Sequence, residues 1–246
     1  MTHLGIIGGS GLTALAGLRV LRRQMQQTPW GEPSGPLVVG EFAGREVIFL
    51  PRHGQPHAIP PHKINYRANI WALHEVGVRR VVAVNAVGGI AAQLGPGALV
   101  IPDQIIDYTW SRPHTYFESD LDRVIHIDFT APYSAALREL LLVAAAQLKL
   151  AVHPSGTYGA TQGPRLETAA EITRLERDGC HVVGMTGMPE AALARELNLD
   201  YACVCVVANH AAGKSAEPIT MELIQANLDQ GMARAQQLLQ AVIPLL

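Results

Sequence analysis

Apolar residues along the chain fall into short runs that alternate with longer stretches of helical periodicity. Runs rich in β-branched residues and bounded by glycine or proline predict β-strands. These strands cover residues 4–8, 18–24, 36–42, 46–51, 81–86, 99–107, 152–160, 181–185 and 201–208. Apolar residues at three- and four-residue steps predict helices over residues 65–76, 135–150, 167–177, 189–196 and from residue 220. Strands that alternate with helices indicate an α/β domain with a mainly parallel or mixed sheet.

Glycine and polar clusters follow several of the predicted strands. In open α/β sheets, ligands bind in the crevice beyond the carboxyl ends of the strands. Clusters in these positions therefore predict one shared binding crevice. They comprise residues 8–11, 52–54, 85–89, 185–186 and 209–210.

The composition constrains the surface of the protein. Of its 246 residues, 48% are hydrophobic and 16% are charged, whereas an average soluble protein has about 25% charged residues. So few charges imply a large core or a surface that is partly buried against another copy of the chain. The net charge is −2 and the chain has no basic run, so we expect no nucleic-acid partner and no anionic-membrane partner.

The sequence also bears on the cellular location. The N-terminus lacks the charged region and the long apolar region of a signal peptide. The most apolar stretch, residues 81–101, contains polar residues, proline and glycines, so we expect no membrane span. Cys180, Cys203 and Cys205 have no set of metal-ligand partners and are expected to be buried, reduced thiols. A cytoplasmic protein is predicted.

The first glycine cluster has two interpretations. Gly9-Ser10-Gly11 can turn tightly and present backbone N–H groups with one hydroxyl, which suits an anion. Residues 9–14 also fit the G-x-G-x-x-[GA] fingerprint of dinucleotide-binding folds. That fingerprint needs a crossover helix, and residues 12–18 leave little room for one. An ordinary strand-to-helix turn is the third possibility.

Arg52 and His53 form the second cluster. The planar guanidinium of Arg52 suits two phosphate oxygens, and a neighbouring imidazole adds a donor. The alternative is a surface loop with incidental charges. A metal site formed by His53, His57 and His62 is disfavoured because no carboxylate accompanies these residues.

Taken in order, the motifs of this sequence resemble those of the trimeric purine nucleoside phosphorylase and methylthioadenosine phosphorylase family. The resemblance covers nearly the whole chain. It rests on GIIGGSGL at 5–12, RHG at 52–54, NYRANIWAL at 65–73, NAVGG at 85–89, GPRLET at 163–168 and MTGMPE at 185–190. It implies a single nucleoside phosphorylase domain over residues 1–246, with a three-layer α/β/α fold around a central mixed sheet.

The resemblance implies reversible phosphorolysis, in which phosphate attacks the anomeric carbon of a nucleoside and releases the purine. Inorganic phosphate is then a co-substrate, and no metal or other cofactor is required. The transition state resembles an oxocarbenium ion, which the phosphate anion both stabilises and captures. The resemblance assigns phosphate binding to Ser10, Arg52, His53, Thr186 and the backbone of Ala86. It also places Met185 against the sugar and Leu166 against the purine.

Two departures from the adenine-preferring branch point to a 6-oxopurine. Asn209 stands where that branch has an aspartate, and Glu167 stands where it has a small hydroxyl residue. The 6-oxopurine phosphorylases have Asn and Glu at these places. A 6-oxopurine N1–H can donate to Glu167, and Asn209 can donate to N7 or O6, where charge accumulates as the base leaves. The catalytic residues predicted are therefore Asn209, Glu167 and His53. The alternative for Glu167 is a charge that interacts with the dipole of the following helix.

The 5′ end of the substrate is predicted from the start of the last helix. Purine nucleoside phosphorylases have a histidine there for the 5′-hydroxyl, whereas this chain has Ile219, Met221 and Leu223, which favour a methylthio group. Met221 as an ordinary core residue is the alternative. His126 matches a residue that the family contributes from a neighbouring subunit, so a homotrimer is expected. Combining both ends gives 5′-methylthioinosine as the predicted substrate, with hypoxanthine and 5-methylthioribose 1-phosphate as products.

Three other functions remain open from the sequence. The chain could act on methylthioadenosine, or on inosine and guanosine, within the same family. It could instead be a nicotinamide-dependent oxidoreductase that uses residues 9–11, or a non-catalytic nucleoside-binding protein. Phosphate dependence and base release separate the oxidoreductase and the binding protein from the predicted reaction, and phosphorolysis rates on methylthioinosine, methylthioadenosine and inosine separate the other phosphorylases.

Overall fold

A computed structural model describes residues 3–119, 121–216 and 220–246 of the chain. The strands are β1 (His3–Gly8), β2 (Arg19–Gln24), β3 (Leu37–Phe42), β4 (Arg45–Pro51), β5 (Val78–Gly89), β6 (Leu99–Val100), β7 (Gln104–Asp107), β8 (Thr157–Ala160), β9 (Val182–Gly184) and β10 (Asp200–His210). The α-helices are α1 (Tyr66–Glu75), α2 (Ala135–Gln147), α3 (Ala169–Arg177), α4 (Gly187–Glu196) and α5 (Met221–Val242). Short 3₁₀ helices cover Pro61–Lys63 and Ile243–Leu245. None of the helices in the described ranges has the length and hydropathy needed to cross a bilayer.

The strands form one ten-stranded mixed sheet. Its main path runs β2-β3-β4-β1-β5-β9-β8-β7, and β10 pairs with β5 and β6. The central strands β4, β1, β5 and β10 are parallel, whereas β2, β3 and β6 pair antiparallel with their neighbours, as does β9 with β5. The prediction of a mixed sheet is confirmed.

Side chains alternate along β5 and separate the core into two layers. Val81 and Ala83 pack in one cluster with residues of α1 and α4. Val82 and Val84 face the other side and pack with residues of α2 and α5. Since successive side chains of a strand point to opposite faces of a sheet, this alternation places one helical layer on each face. The predicted three-layer α/β/α arrangement is confirmed.

Several predicted elements have different bounds in the structure. The predicted strand over residues 99–107 is divided into β6 and β7, because Pro102 has no N–H to donate to a strand ladder. The predicted strand over residues 152–160 is ordered as β8 only from Thr157. Helix α3 begins at Ala169 rather than at 167, because Thr168 forms a capping box with Glu171.

The turn after β1 is too short to support the dinucleotide interpretation. No helix lies between the end of β1 at Gly8 and the start of β2 at Arg19, a segment that is fully within the described residues. The glycines instead permit close approach. A Cβ on Gly8 would lie 2.1 Å from the carbonyl oxygen of Leu12, and one on Gly9 would lie 2.6 Å from Nη1 of Arg52. The interpretation as a dinucleotide site is wrong.

Candidate active site

A cavity of about 590 Å³ lies beyond the carboxyl ends of β1, β4, β5, β9 and β10 and is closed on one side by α5. This is the crevice that the clusters at the strand ends predict. The structure brings most of the predicted site residues to its wall, namely Ser10, Arg52, His53, Ala86, Leu166, Glu167, Met185, Thr186 and Asn209. The cavity therefore combines the predicted phosphate, sugar and purine residues.

Arg52 is fully buried and is paired with a carboxylate that sequence reasoning missed. Its Nε and Nη2 donate to Glu190 Oε2 and Oε1 at 2.7 and 2.8 Å. Its Nη2 also donates to Asn85 Oδ1 at 3.3 Å, and Nη1 donates to the carbonyl oxygen of Val84 at 3.0 Å. A guanidinium has five N–H groups, so these bonds leave one N–H of Nη1, next to Gly9.

Glu190 determines the electrostatics at this end of the cavity. Burial by itself lowers the pKa of Arg52, but the charge of Glu190 and its hydrogen bonds raise that pKa above its ordinary value. Tyr201 donates a further hydrogen bond to Glu190 Oε1 at 2.8 Å. Because the ion pair neutralises much of the arginine charge, anion binding here depends on individual donors more than on net charge.

Thr186 supplies one of these donors. It is the N-terminal cap residue of α4, and its side chain makes no capping bond. Asn85 Nδ2 donates to Thr186 Oγ1 at 2.8 Å, so this hydroxyl oxygen is already an acceptor and its hydrogen is free to turn toward the cavity. Asn85 is itself oriented by Arg52, which bonds its Oδ1. The network from Glu190 through Arg52 and Asn85 therefore orients the Thr186 hydroxyl.

The neutral ring of His53 donates one hydrogen bond from Nδ1 and can accept another at Nε2. Its Nδ1 lies 2.7 Å from the carbonyl oxygen of Ile59, which can only accept, so Nδ1 bears the proton and Nε2 has a free lone pair. Burial lowers the pKa of His53 to about 4, and the nearby Arg52 cation acts in the same direction. Its ring stacks on that of His57 at 4.4 Å, and His57 Nε2 lies 3.1 Å from Ser10 Oγ. The expectation that His53 adds a donor for phosphate therefore does not hold for the neutral ring.

The lowered pKa of His53 makes protein stability depend on pH. The imidazole of residue 53 binds a proton near pH 6.5 in the unfolded chain and near pH 4 in the folded chain. The neutral His53 therefore makes its full contribution to the free energy of unfolding above pH 6.5, and this contribution is lost as the pH falls toward 4. We expect the wild-type protein to lose about 2–3 kcal/mol more than His53→Gln across this range. Urea denaturation at pH 7 and pH 4 measures the difference. Equal losses in the two proteins would contradict the assignment.

Glu167 and Asn209, the residues predicted to bind the purine, both line the cavity. Glu167 is half-buried, and its Oε1 accepts a hydrogen bond of 2.6 Å from Thr161 Oγ1. Asn209 Nδ2 donates to the carbonyl oxygen of His210 at 2.7 Å, which leaves a second N–H and Oδ1 for a ligand. The interpretation of Glu167 as a helix-dipole charge is disfavoured, because its carboxylate is bonded to Thr161 and lines the cavity.

The wall provided by α5 differs in detail from the predicted 5′ pocket. Ile224, Gln225 and Leu228 line the cavity. The side chain of Met221 and the whole of Ile219 lie outside the described residues. Leu223 is 47% exposed and does not line the cavity. Helical periodicity explains the shift, because residues 224 and 228 are one turn apart on a single face.

His126 does not contact the cavity of its own chain. It is exposed in the segment between β7 and α2. The same segment exposes the apolar side chains of Trp110, Leu121, Val124 and Ile125. Within the described ranges, His, Cys, Asp and Glu side chains form no group of three that could hold a metal ion, and His53, His57 and His62 are not brought together as such a group.

Comparison with known proteins gives the family. The sequence profile of the phosphorylase superfamily matches residues 3–244. The chain is 55% identical over 243 residues to a probable S-methyl-5'-thioinosine phosphorylase from Pseudomonas syringae pv. tomato, and the aligned residues cover 99% of each chain. It is 47% identical to a 6-oxopurine nucleoside phosphorylase from Pyrococcus furiosus, covering 100% of this chain and 94% of the relative.

Solved structures agree with the sequence comparison. Methylthioadenosine phosphorylase from Schistosoma mansoni in complex with adenine superimposes with a TM-score of 0.95 and 31% identity, covering 100% of this chain and 92% of the other. The resemblance drawn from the motifs is confirmed, and with it the class of enzyme. This chain belongs to the phosphorylase superfamily.

Proposed function

We propose that this enzyme catalyses phosphorolysis of S-methyl-5'-thioinosine to hypoxanthine and 5-methylthioribose 1-phosphate. The main support for the proposal is that a single cavity contains three sets of residues. Glu167 and Asn209 line one part, apolar residues of α5 line another, and the candidate phosphate donors line a third. The names of several relatives at 53–55% identity support the same substrate.

The purine end of the cavity supports a 6-oxopurine. Glu167 Oε1 already accepts from Thr161, so Oε2 is the atom that would accept a purine N1–H. Adenine has no hydrogen on N1 and would place two acceptors against each other. Such a mismatch of buried polar groups costs about 1–3 kcal/mol. The proposed function therefore favours hypoxanthine as the leaving base over adenine.

The phosphate end of the cavity supports attack by a bound anion. Thr186 Oγ1, the remaining N–H of Arg52 Nη1 and Ser10 Oγ are the donors proposed for phosphate, together with the backbone of Ala86. His53 Nε2 would accept a hydrogen bond from a protonated phosphate oxygen. Asn209 would donate to the departing base as negative charge develops there. The proposal includes inorganic phosphate as co-substrate and no metal or organic cofactor.

The α5 wall supports a 5′-methylthio group. Ile224 and Leu228 present apolar side chains, and the α5 sequence contains no histidine. Gln225 favours inosine as a second candidate substrate, because its Nε2 bonds Asp229 Oδ1 at 2.7 Å and its Oε1 could accept from a 5′-hydroxyl. A buried hydroxyl needs such a partner, whereas a thioether does not.

The homotrimer also belongs to the proposal. Its support is the exposed His126 and the apolar residues around it, which are available to complete a neighbouring site. Sedimentation at equilibrium should give three times the mass of the chain, and a monomer with full activity would exclude a role for His126 in a partner's site. The cytoplasmic location stays a prediction.

Dependence on phosphate tests the reaction class. Purified enzyme should release hypoxanthine from S-methyl-5'-thioinosine only when phosphate is present, with one sugar phosphate formed for each base released. Release at the same rate in phosphate-free buffer would indicate hydrolysis. Binding of the nucleoside without base release would instead favour the non-catalytic alternative.

Replacement of Thr186 by valine tests the phosphate donors. Because the variant loses a hydrogen bond to an anion, we expect the KM for phosphate to rise about 10-fold. The KM for the nucleoside should change much less. Thr173→Val is the matched control, since Thr173 Oγ1 bonds only the Ala169 carbonyl oxygen within α3. An unchanged KM for phosphate in Thr186→Val would remove this residue from the phosphate site.

A further inference from the structure

Arg112 is a buried cation that the reaction proposed above does not use. It lies between β7 and α2, is 6% exposed, and stacks over the ring of Tyr66 at 5.4 Å. The described residues form no salt bridge with it. Its hydrogen bonds go instead to neutral acceptors, mainly backbone carbonyl groups. These are Met185 O at 2.9 Å, Met188 O at 2.6 Å, Thr161 O at 3.2 Å, Gln162 O at 2.8 Å, Gln162 Oε1 at 3.1 Å and the Tyr66 hydroxyl at 3.3 Å.

The carbonyl acceptors lie on two segments that separate at the end of the sheet. Strands β8 and β9 remain paired as far as Ala160 and Gly184, and Thr161 N still donates to Gly184 O at 2.8 Å. Beyond this point one segment leads to Glu167 at the purine end. The other leads through Met185 to Thr186 at the phosphate end. Arg112 donates to both segments immediately after they diverge.

Only arginine can bridge the two segments in this way. Its planar guanidinium presents five N–H groups in a fixed fork, whereas lysine offers three donors from a single atom. Nη1 bonds the Met185 and Met188 carbonyl oxygens, while Nη2 bonds those of Thr161 and Gln162. The separation between the two segments is thus determined by the rigid geometry of one side chain.

We propose that Arg112 is a positioning residue that holds the purine-binding segment and the phosphate-binding segment in register. The inference rests on the proposed function, because it concerns how the two substrates meet. Phosphate must approach the anomeric carbon in line with the departing base. A displacement of about 1 Å between reacting groups can cost 100-fold in rate. Arg112 does not line the cavity and would act through the backbone of the two segments that form its wall.

The test is Arg112→Lys, which keeps the charge and loses the fork. We expect kcat/KM to fall about 100-fold, with higher KM values for both phosphate and nucleoside. The preference for S-methyl-5'-thioinosine over methylthioadenosine should also narrow, because Glu167 is no longer held in place. A variant that merely folds less well would lose kcat equally for every substrate, with unchanged KM values and unchanged preference. That result would overturn the proposal.

Arg138→Lys is the matched control. Arg138 also donates to backbone carbonyl oxygens, those of Pro102 at 2.9 Å and Pro154 at 2.6 Å, but neither of these acceptor residues lines the cavity, whereas Met185 does. We expect this variant to lower the melting temperature without moving either KM or the substrate preference. If Arg138→Lys reduced the preference for S-methyl-5'-thioinosine as much as Arg112→Lys, the proposal would also be overturned. The effect would then follow from the loss of any arginine that bonds backbone carbonyl groups.

If Arg112→Lys does not fold, Gln162→Leu tests the same proposal. It removes the acceptor of Arg112 Nε and keeps the backbone carbonyl group. We expect smaller effects of the same kind: a several-fold loss of the preference for S-methyl-5'-thioinosine over methylthioadenosine and raised KM values for phosphate and nucleoside. An unchanged preference with unchanged KM values would overturn the proposal. Wild-type enzyme in the same assays separates the two claims. An active wild type with unaffected variants refutes only the role of Arg112, whereas an inactive wild type refutes the proposed function and the inference together.

Discussion

Replacing Glu190 by glutamine is expected to lower the free energy of unfolding by about 3–5 kcal/mol. Glu190 and Arg52 are both fully buried and joined by two hydrogen bonds. Glutamine has nearly the same shape but no charge, so the variant leaves the arginine cation buried without its counter-charge. Urea denaturation at neutral pH measures the effect. Activity should also fall, because Arg52 orients Asn85 and thereby the Thr186 hydroxyl.

Glu176→Gln provides the control for Glu190. Glu176 forms an ion pair with Lys214, and its side chain is 49% exposed. Exposed ion pairs contribute about 0–1 kcal/mol, so this variant should be nearly as stable as the wild type. Equal losses of unfolding free energy in the two variants would contradict the prediction, because they would show that the buried Arg52–Glu190 pair stabilises the protein no more than an exposed ion pair does.

Replacing Glu167 by glutamine is expected to reduce kcat/KM for S-methyl-5'-thioinosine about 5- to 150-fold, which corresponds to a loss of about 1–3 kcal/mol. The loss arises because the amide cannot match the carboxylate as an acceptor for N1–H and is free to present its NH₂ group instead. Activity on methylthioadenosine should be retained or increased, since the same NH₂ group can donate to an unprotonated N1. Steady-state kinetics on both nucleosides measures the change in preference.

Thr161→Val serves as the companion variant for this prediction. It removes the hydroxyl that bonds Glu167 Oε1 and leaves the carboxylate in place. We expect a smaller loss in the same direction, because the carboxylate is present but less well oriented. If Glu167→Gln slows both nucleosides by the same factor, Glu167 does not read the 6-position of the purine.

The central fold could be predicted from the sequence because burial on both faces imposes apolar runs. β5 shows both the strength and the limit of this signal. The predicted strand over residues 81–86 lies inside the observed Val78–Gly89, but the pairing with β10 continues through Gly88 and Gly89, which an apolar pattern does not register. The predicted strands over residues 99–107 and 152–160 are longer than the observed strands β6, β7 and β8. Pro102 has no N–H to donate to a ladder, and β8 begins only at Thr157.

The candidate site could be predicted in outline because its residues follow strand ends. The hydrogen-bond and ion-pair partners of those residues could not be predicted from the sequence. Glu190 pairs with Arg52 across 138 residues, and nothing local in either segment specifies the pairing. Arg112 contacts carbonyl groups, which every residue possesses, so no side-chain pattern could indicate its role. The protonation of His53 depends on the Ile59 carbonyl and on burial, which only the folded chain defines.

The most direct test compares phosphorolysis of S-methyl-5'-thioinosine, methylthioadenosine and inosine by the purified enzyme in phosphate buffer. A cavity with a 6-oxopurine end at Glu167 and Asn209 and an apolar wall at Ile224 and Leu228 predicts the highest kcat/KM for S-methyl-5'-thioinosine. Fastest turnover of methylthioadenosine would contradict the assignment of the purine end. Inosine cleaved as efficiently as S-methyl-5'-thioinosine would contradict the assignment of the 5′ wall.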